Sequence, residues 1–210
     1  MQTEQPRERT YLPLVFLPGA SGRSAVWQPI AQRLASRRQP VLVDYPTMAE
    51  VSSHYSTRGL PGLAELLLPT LPKRFDAAAL SMGGALALHL VLKHPERVRR
   101  LILVTTAGGI NVQALGALDF RPSFVERRHG ERNWFVEDAS DFGPRLGEIE
   151  QPCLLVFGDR DPIAPLAVGQ FLKTGLRQAR LEILPGATHD LEQEFPDQLA
   201  SLIEAHLRGT

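Results

Sequence analysis

Three short stretches of this chain hold side chains that could act together. Ser81 stands in Ala79-Leu80-Ser81-Met82-Gly83-Gly84, between an apolar run from Phe75 to Leu80 and another from Ala85 to Leu92. Asp159 and Asp161 stand in Gly158-Asp159-Arg160-Asp161-Pro162, directly after the apolar run Cys153 to Phe157. His189 stands in Pro185-Gly186-Ala187-Thr188-His189-Asp190, directly after Leu181 to Leu184. A serine hydroxyl is a poor nucleophile until an imidazole accepts its proton, and the imidazole needs a carboxylate to fix its orientation. Serine, then acid, then histidine is a chain order in which a parallel sheet can assemble that relay.

These residues must be positioned by the elements around them. At Ser81 the pattern reads as strand, sharp turn and buried helix, so the hydroxyl is lifted above the sheet edge, where small neighbours allow close passage. Ala77 to Leu92 could by propensity form one continuous helix, but each interior glycine of Gly83-Gly84 costs about 1 kcal/mol there. The Met82 N–H, at the start of the helix, then points at an oxygen gaining negative charge beside Ser81.

Along the chain, strands are expected at Leu12 to Leu17, Val41 to Val43, Phe75 to Leu80, Val98 to Thr105, Cys153 to Phe157 and Leu181 to Leu184. Between them fall a helix capped by Ser24 and running to about Arg38, a leucine-rich helix from Leu63 to Leu71, and helices over Leu166 to Leu172 and Leu191 to Leu207. Near-continuous apolar strands alternating with helices predict a parallel sheet covered on both faces, a three-layer α/β/α sandwich of about six strands. Chemistry in such sheets gathers at the carboxyl ends of strands.

Composition narrows the function classes. The 210 residues fit one domain, and 23 basic against 23 acidic side chains leave no field to draw nucleic acid or an anionic membrane. The single cysteine, Cys153, reads as a core residue and fits a reducing compartment. Arg7 and Arg9 before Tyr11 to Leu17 imitate an export signal, but Glu4, Glu8, Pro13 and Pro18 count against it, so a cytoplasmic protein is expected. No stretch reaches transmembrane length. No cofactor or metal is expected, since Cys and His lack zinc spacing and the Gly19 loop lacks a dinucleotide fingerprint. Of the other histidines, His89 reads as packed in its helix, His94 and His206 as charges at helix ends, and His54 and His129 as surface.

With these motifs in place the chain resembles the α/β-hydrolase superfamily, of the serine esterase and lipase type, from Leu12 to the carboxyl terminus. The resemblance implies that Asp161, closing the family's Gly-x-x-Asp pattern, is the acid, with Asp159 shaping the turn. It implies that His189, in Pro-Gly-x-x-His, is the base, and His94-Pro95-Glu96-Arg97-Val98 is a habitual family phrase. The family's usual His-Gly after the first central strand is here Pro18-Gly19, which assigns the second oxyanion donor to the Ala20 N–H beside that of Met82. Ala79 replaces the first glycine of the family's Gly-x-Ser-x-Gly, and the family's amino-terminal antiparallel strands are expected to be absent.

The resemblance also implies a single domain over residues 1–210 with a short lid insertion at about 110–150. Apolar residues there alternate with charges, as on an ordinary surface helix. A sharper expectation is that Trp27, Phe124 and Trp134 line an acyl pocket and Arg128 meets an anionic substrate. The expected function is hydrolysis of a small to medium carboxylic ester or thioester. Carbon–carbon bond hydrolysis or lyase chemistry by the same relay, and a non-catalytic binding protein of this fold, are the alternatives. Substrate identity and oligomeric state are left open.

Overall fold

The computed structural model describes residues 11–46, 59–127 and 138–209. Among them, six strands form one sheet: β1 (Leu14–Leu17), β2 (Pro40–Leu42), β3 (Phe75–Leu80), β4 (Val98–Val104), β5 (Cys153–Gly158) and β6 (Ala179–Leu184). Their order is β2-β1-β3-β4-β5-β6, and every pairing is parallel. The α/β sandwich expected from the alternation is the observed architecture.

Side chains in the strands alternate between two cores. Val15, Leu17, Ala77, Ala79, Leu101, Leu103, Leu155 and Phe157 face one layer, formed by α2 (Gly59–Leu67), α3 (Gly83–Lys93) and α5 (Leu166–Gly175). Leu14, Phe16, Ala78, Leu80, Ile102, Val104, Leu154 and Val156 face the other, formed by α1 (Gln28–Leu34), the single turn α6 (Leu191–Glu194) and α7 (Pro196–Arg208). A sheet covered on both faces has no polar side, which is why its strands read as apolar runs rather than as alternating ones. Between β4 and β5 the described residues hold a helix α4 (Arg121–Arg127), preceded and followed by 3-10 turns at Gln113–Leu115 and Gly143–Glu148.

Local details depart from the sequence reading. Ser24 makes no side-chain cap; it opens a 3-10 turn (Ser24–Trp27) ahead of α1, and its N–H donates to Asp44 Oδ1 at 2.6 Å. That bond holds the Asp44 carboxyl below its ordinary range. The leucine-rich helix is Gly59–Leu67, earlier than expected, and the closing helix is broken at Phe195 ahead of Pro196 into α6 and α7. His206 is not a terminal charge but is buried, and burial with the nearby Arg100 cation pushes its imidazole down to about 4.

The order of the strands puts a switch point between β1 and β3. The chain builds β1, steps outward to β2, then returns to lay β3 on the other side of β1. Loops leaving β1 and β3 therefore start from neighbouring strand ends at a switch point, the position where open α/β sheets bind ligands.

Candidate active site

Ser81 follows β3 with φ of +49°, a left-handed conformation that costs a non-glycine residue energy and must be held by its surroundings. It is held by its own backbone. The Ser81 N–H donates to Val104 O at 2.9 Å, and its carbonyl accepts from Gly84 N–H at 3.0 Å and Ala107 N–H at 3.3 Å. The two glycines that follow permit this packing: a Cβ on Gly83 would collide with the Pro18 carbonyl, and one on Gly84 with the Thr106 side chain. Ala79, which replaces the family's first glycine, buries its methyl in the core.

His189 reaches both partners. Its Nε2 lies 2.9 Å from Ser81 Oγ and its Nδ1 lies 2.7 Å from Asp161 Oδ2. The other Asp161 oxygen, Oδ1, accepts from the N–H groups of Ile163 at 2.8 Å and Ala164 at 2.9 Å, so a buried carboxylate has its lone pairs engaged. Of the two candidate aspartates, only Asp161 meets the imidazole. Asp159 instead accepts the Gly186 N–H at 2.6 Å, and Arg160 N–H donates to Ala187 O at 3.0 Å, which ties the acid loop to the histidine loop. Glu192 is also buried nearby, and burial pushes its carboxyl above the ordinary carboxylate range.

The loop leaving β1 lies against the serine. A Cβ on Gly19 would lie 3.2 Å from Ser81 Cβ and 3.8 Å from Ser81 Oγ, so the backbone of this loop runs close to the hydroxyl. Met82 stands at the N-cap of α3, where unsatisfied helix N–H groups favour negative charge. Two aromatic residues support that loop. The Trp27 indole N–H donates to Leu17 O at 3.1 Å, and the Tyr45 hydroxyl donates to Pro18 O at 2.8 Å.

Those bonds correct one expectation. Trp27 is no substrate contact: it is fully buried on the α1 side of the sheet, with its ring 5.1 Å from that of Phe16. Phe124 is half-buried and packs on the opposite core. Trp134, Arg128, His54 and His129 lie outside the described residues. Sequence reasoning gives Tyr45 no role and counts Arg121 only among the charges of the lid segment. The first stands in the Tyr45-Pro46 turn after β2, and the second opens α4. Arg121 lines a cavity of about 200 Å³ that begins at Met82 and is also bordered by Ile110, Val112 and Ser140. Its Nη2 donates to Asp138 O at 3.2 Å.

His89 is half-buried, its ring tilted against Phe142, and burial lowers its basicity. Cys153 is buried at the start of β5, and burial pushes its thiol up to about 12. Among the described residues no group of three or more His, Cys, Asp or Glu side chains could hold a metal ion, and no helix is long and apolar enough to cross a membrane.

Comparison with known proteins adds to this geometry. A family model described as "Alpha/beta hydrolase family" matches residues 14–146. A pimeloyl-[acyl-carrier protein] methyl ester esterase of Nitrosomonas europaea is 25% identical over 238 aligned positions, covering 91% of this chain and 94% of that protein. A 2-hydroxy-6-oxononadienedioate/2-hydroxy-6-oxononatrienedioate hydrolase of Paraburkholderia xenovorans is 25% identical over 240 aligned positions, covering 89% of this chain and 82% of that protein. An esterase of Thermogutta terrifontis shares the fold with a TM-score of 0.74 at 19% identity, over 94% of this chain and 90% of that one. With more than half its length matched by the family model, this chain belongs to the alpha/beta hydrolase family.

Proposed function

We propose that the protein is a serine esterase that cleaves a carboxylic ester or thioester of small to medium acyl chain through an acyl-enzyme on Ser81. The observation that carries this reading is the imidazole of His189, in contact with Ser81 Oγ on one nitrogen and Asp161 on the other. His189 takes the hydroxyl proton as Ser81 attacks the carbonyl carbon, and Asp161 stabilises the imidazolium that forms. The N–H groups of Met82 and Ala20 receive the oxyanion, where fixed donors serve the transition state better than the flat carbonyl. The imidazolium then gives its proton to the departing alcohol or thiol. In the second half the same nitrogen takes a proton from water as it attacks the acyl carbon, then gives that proton to Ser81 Oγ as the bond to the acyl group breaks and the acid is released. No cofactor or metal enters this sequence.

The segment at about 110–150 serves as a short lid over a single domain. Half-buried Val112, Leu115, Phe120 and Phe124 support an apolar lining for part of it. Arg121, which lines the cavity beside Met82, is a cation that can face the substrate; Arg128 lies outside the described residues. The setting is cytoplasmic, in keeping with one buried thiol and balanced charge.

A second reading has one observation in its favour, the Paraburkholderia relative named as a dienedioate hydrolase. There the same relay would act on a carbon–carbon bond. Incubation with a fluorophosphonate probe and a panel of p-nitrophenyl esters tests the proposal. One adduct on Ser81 with turnover of short esters supports the esterase. An adduct without ester turnover turns attention to carbon–carbon cleavage, and neither result leaves a binding protein of this fold.

A further inference from the structure

The turn that carries His189 is closed by hydrogen bonds on both sides of that residue. The Glu194 carboxylate accepts twice from Thr188, through Oε2 from the backbone N–H at 2.8 Å and through Oε1 from the hydroxyl at 2.8 Å. The Thr188 hydroxyl oxygen accepts the Asp190 N–H at 3.3 Å, and the Asp190 carbonyl accepts the Glu194 N–H at 3.1 Å. Residues 188, 190 and 194 thus form a closed ring that fixes both chain neighbours of His189 and leaves its side chain to face Ser81. The single turn α6 is what brings Glu194 back to Thr188.

We propose that Glu194 is a positioning residue for His189, acting through Thr188. The inference rests on the reading of His189 as the general base. Glu194 and Thr188 are near the surface, so these bonds add little to stability. Their weight lies in geometry. The imidazole must hold one partner at 2.7 Å and another at 2.9 Å on opposite ring nitrogens, so a small rotation of the turn lengthens one bond or the other. A displacement of about 1 Å in such a site can cost on the order of 10²-fold in rate. A carboxylate suits the task because its two oxygens match the N–H and O–H of one residue. A glutamine amide can keep the ring, accepting the N–H through its oxygen and donating to the hydroxyl through its nitrogen.

The test compares Glu194→Ala, Glu194→Gln, His189→Ala and the double variant His189→Ala/Glu194→Ala on a short p-nitrophenyl ester, with melting curves for each. Glu194→Ala is expected to lose about 10 to 100-fold in kcat, with KM within about threefold of the parent. Glu194→Gln should retain kcat within about threefold, and the double variant should be no worse than His189→Ala alone. Should Glu194→Ala fail to fold, Thr188→Val opens the same ring at its hydroxyl and is expected to lose about tenfold in kcat. A parent-like kcat for folded Glu194→Ala or Thr188→Val overturns the proposal while His189→Ala is dead. So does a Gln variant as poor as Ala, or a further loss in the double variant. Activity surviving in His189→Ala overturns the base assignment and the positioning role with it.

Discussion

Gly83 lies directly beneath the carbonyls of Leu17 and Pro18: a Cβ there would collide with the Pro18 oxygen and stand 2.8 Å from that of Leu17. The amino end of α3 and the loop leaving β1 therefore meet backbone to backbone, and these are the two segments that carry the proposed oxyanion donors, the Met82 and Ala20 N–H groups. Main-chain oxygens cannot swing aside as a side-chain tip can. Gly83→Ala must push the two backbones apart, and is expected to cost about 1 to 3 kcal/mol of stability in urea unfolding. The loss in kcat should be on the order of 10²-fold, because the oxyanion donors separate.

Asp161→Asn tests the orientation of the imidazole. An amide nitrogen facing Nδ1 donates where the carboxylate accepts, and so favours the tautomer whose proton sits on Nε2, toward Ser81. Turnover of a short ester should fall by roughly 10⁴-fold with the melting temperature little changed. A loss under tenfold would mean that this carboxylate does not set the tautomer.

His206 gives a pH dependence of stability independent of catalysis. Its imidazole is pushed down to about 4 in the fold by burial first and by Arg100 second, whereas an unfolded histidine titrates near 6.5. Between those values the unfolded chain binds a proton that the folded chain refuses. The stability is therefore fully present above about pH 6.5 and is lost as pH falls toward 4. At pH 5 the loss is on the order of 1 to 2 kcal/mol relative to pH 7. Urea midpoints at both pH values should differ more in the parent than in His206→Phe; equal differences would contradict the assignment.

Cys153 should be chemically silent. A buried thiol pushed up to about 12 presents almost no thiolate at neutral pH. A disulfide reagent should label the native protein slowly and the urea-unfolded protein at once, and Cys153→Ala should keep ester turnover within about twofold of the parent, since the residue lies at the opposite end of β5 from Asp161.

How much of this was readable from residues alone depends on the range of the interaction. Ser81, Asp161 and His189 each follow an apolar run, and a parallel sheet gathers all such strand ends on one rim, so sequence order was enough to bring them together. The choice of Asp161 over Asp159 needed family resemblance, because both follow the same strand. Trp27 was misjudged since its helical spacing shows a buried face but not which layer it enters; that is decided by how α1 packs against α7. The break at Phe195–Pro196 was hidden inside an amphipathic pattern that continues across it. Tyr45, Asp44 and Glu194 act through one or two hydrogen bonds to residues of loops and turns, and no periodicity marks such contacts.

The most direct test of the whole account is turnover of a short p-nitrophenyl ester by Ser81→Ala, in a preparation whose melting curve matches the parent. The account predicts a fall of roughly 10⁶-fold, to the level of oxyanion-hole and binding effects alone. A variant that retains turnover within tenfold of the parent would contradict it, and would move the reaction away from Ser81.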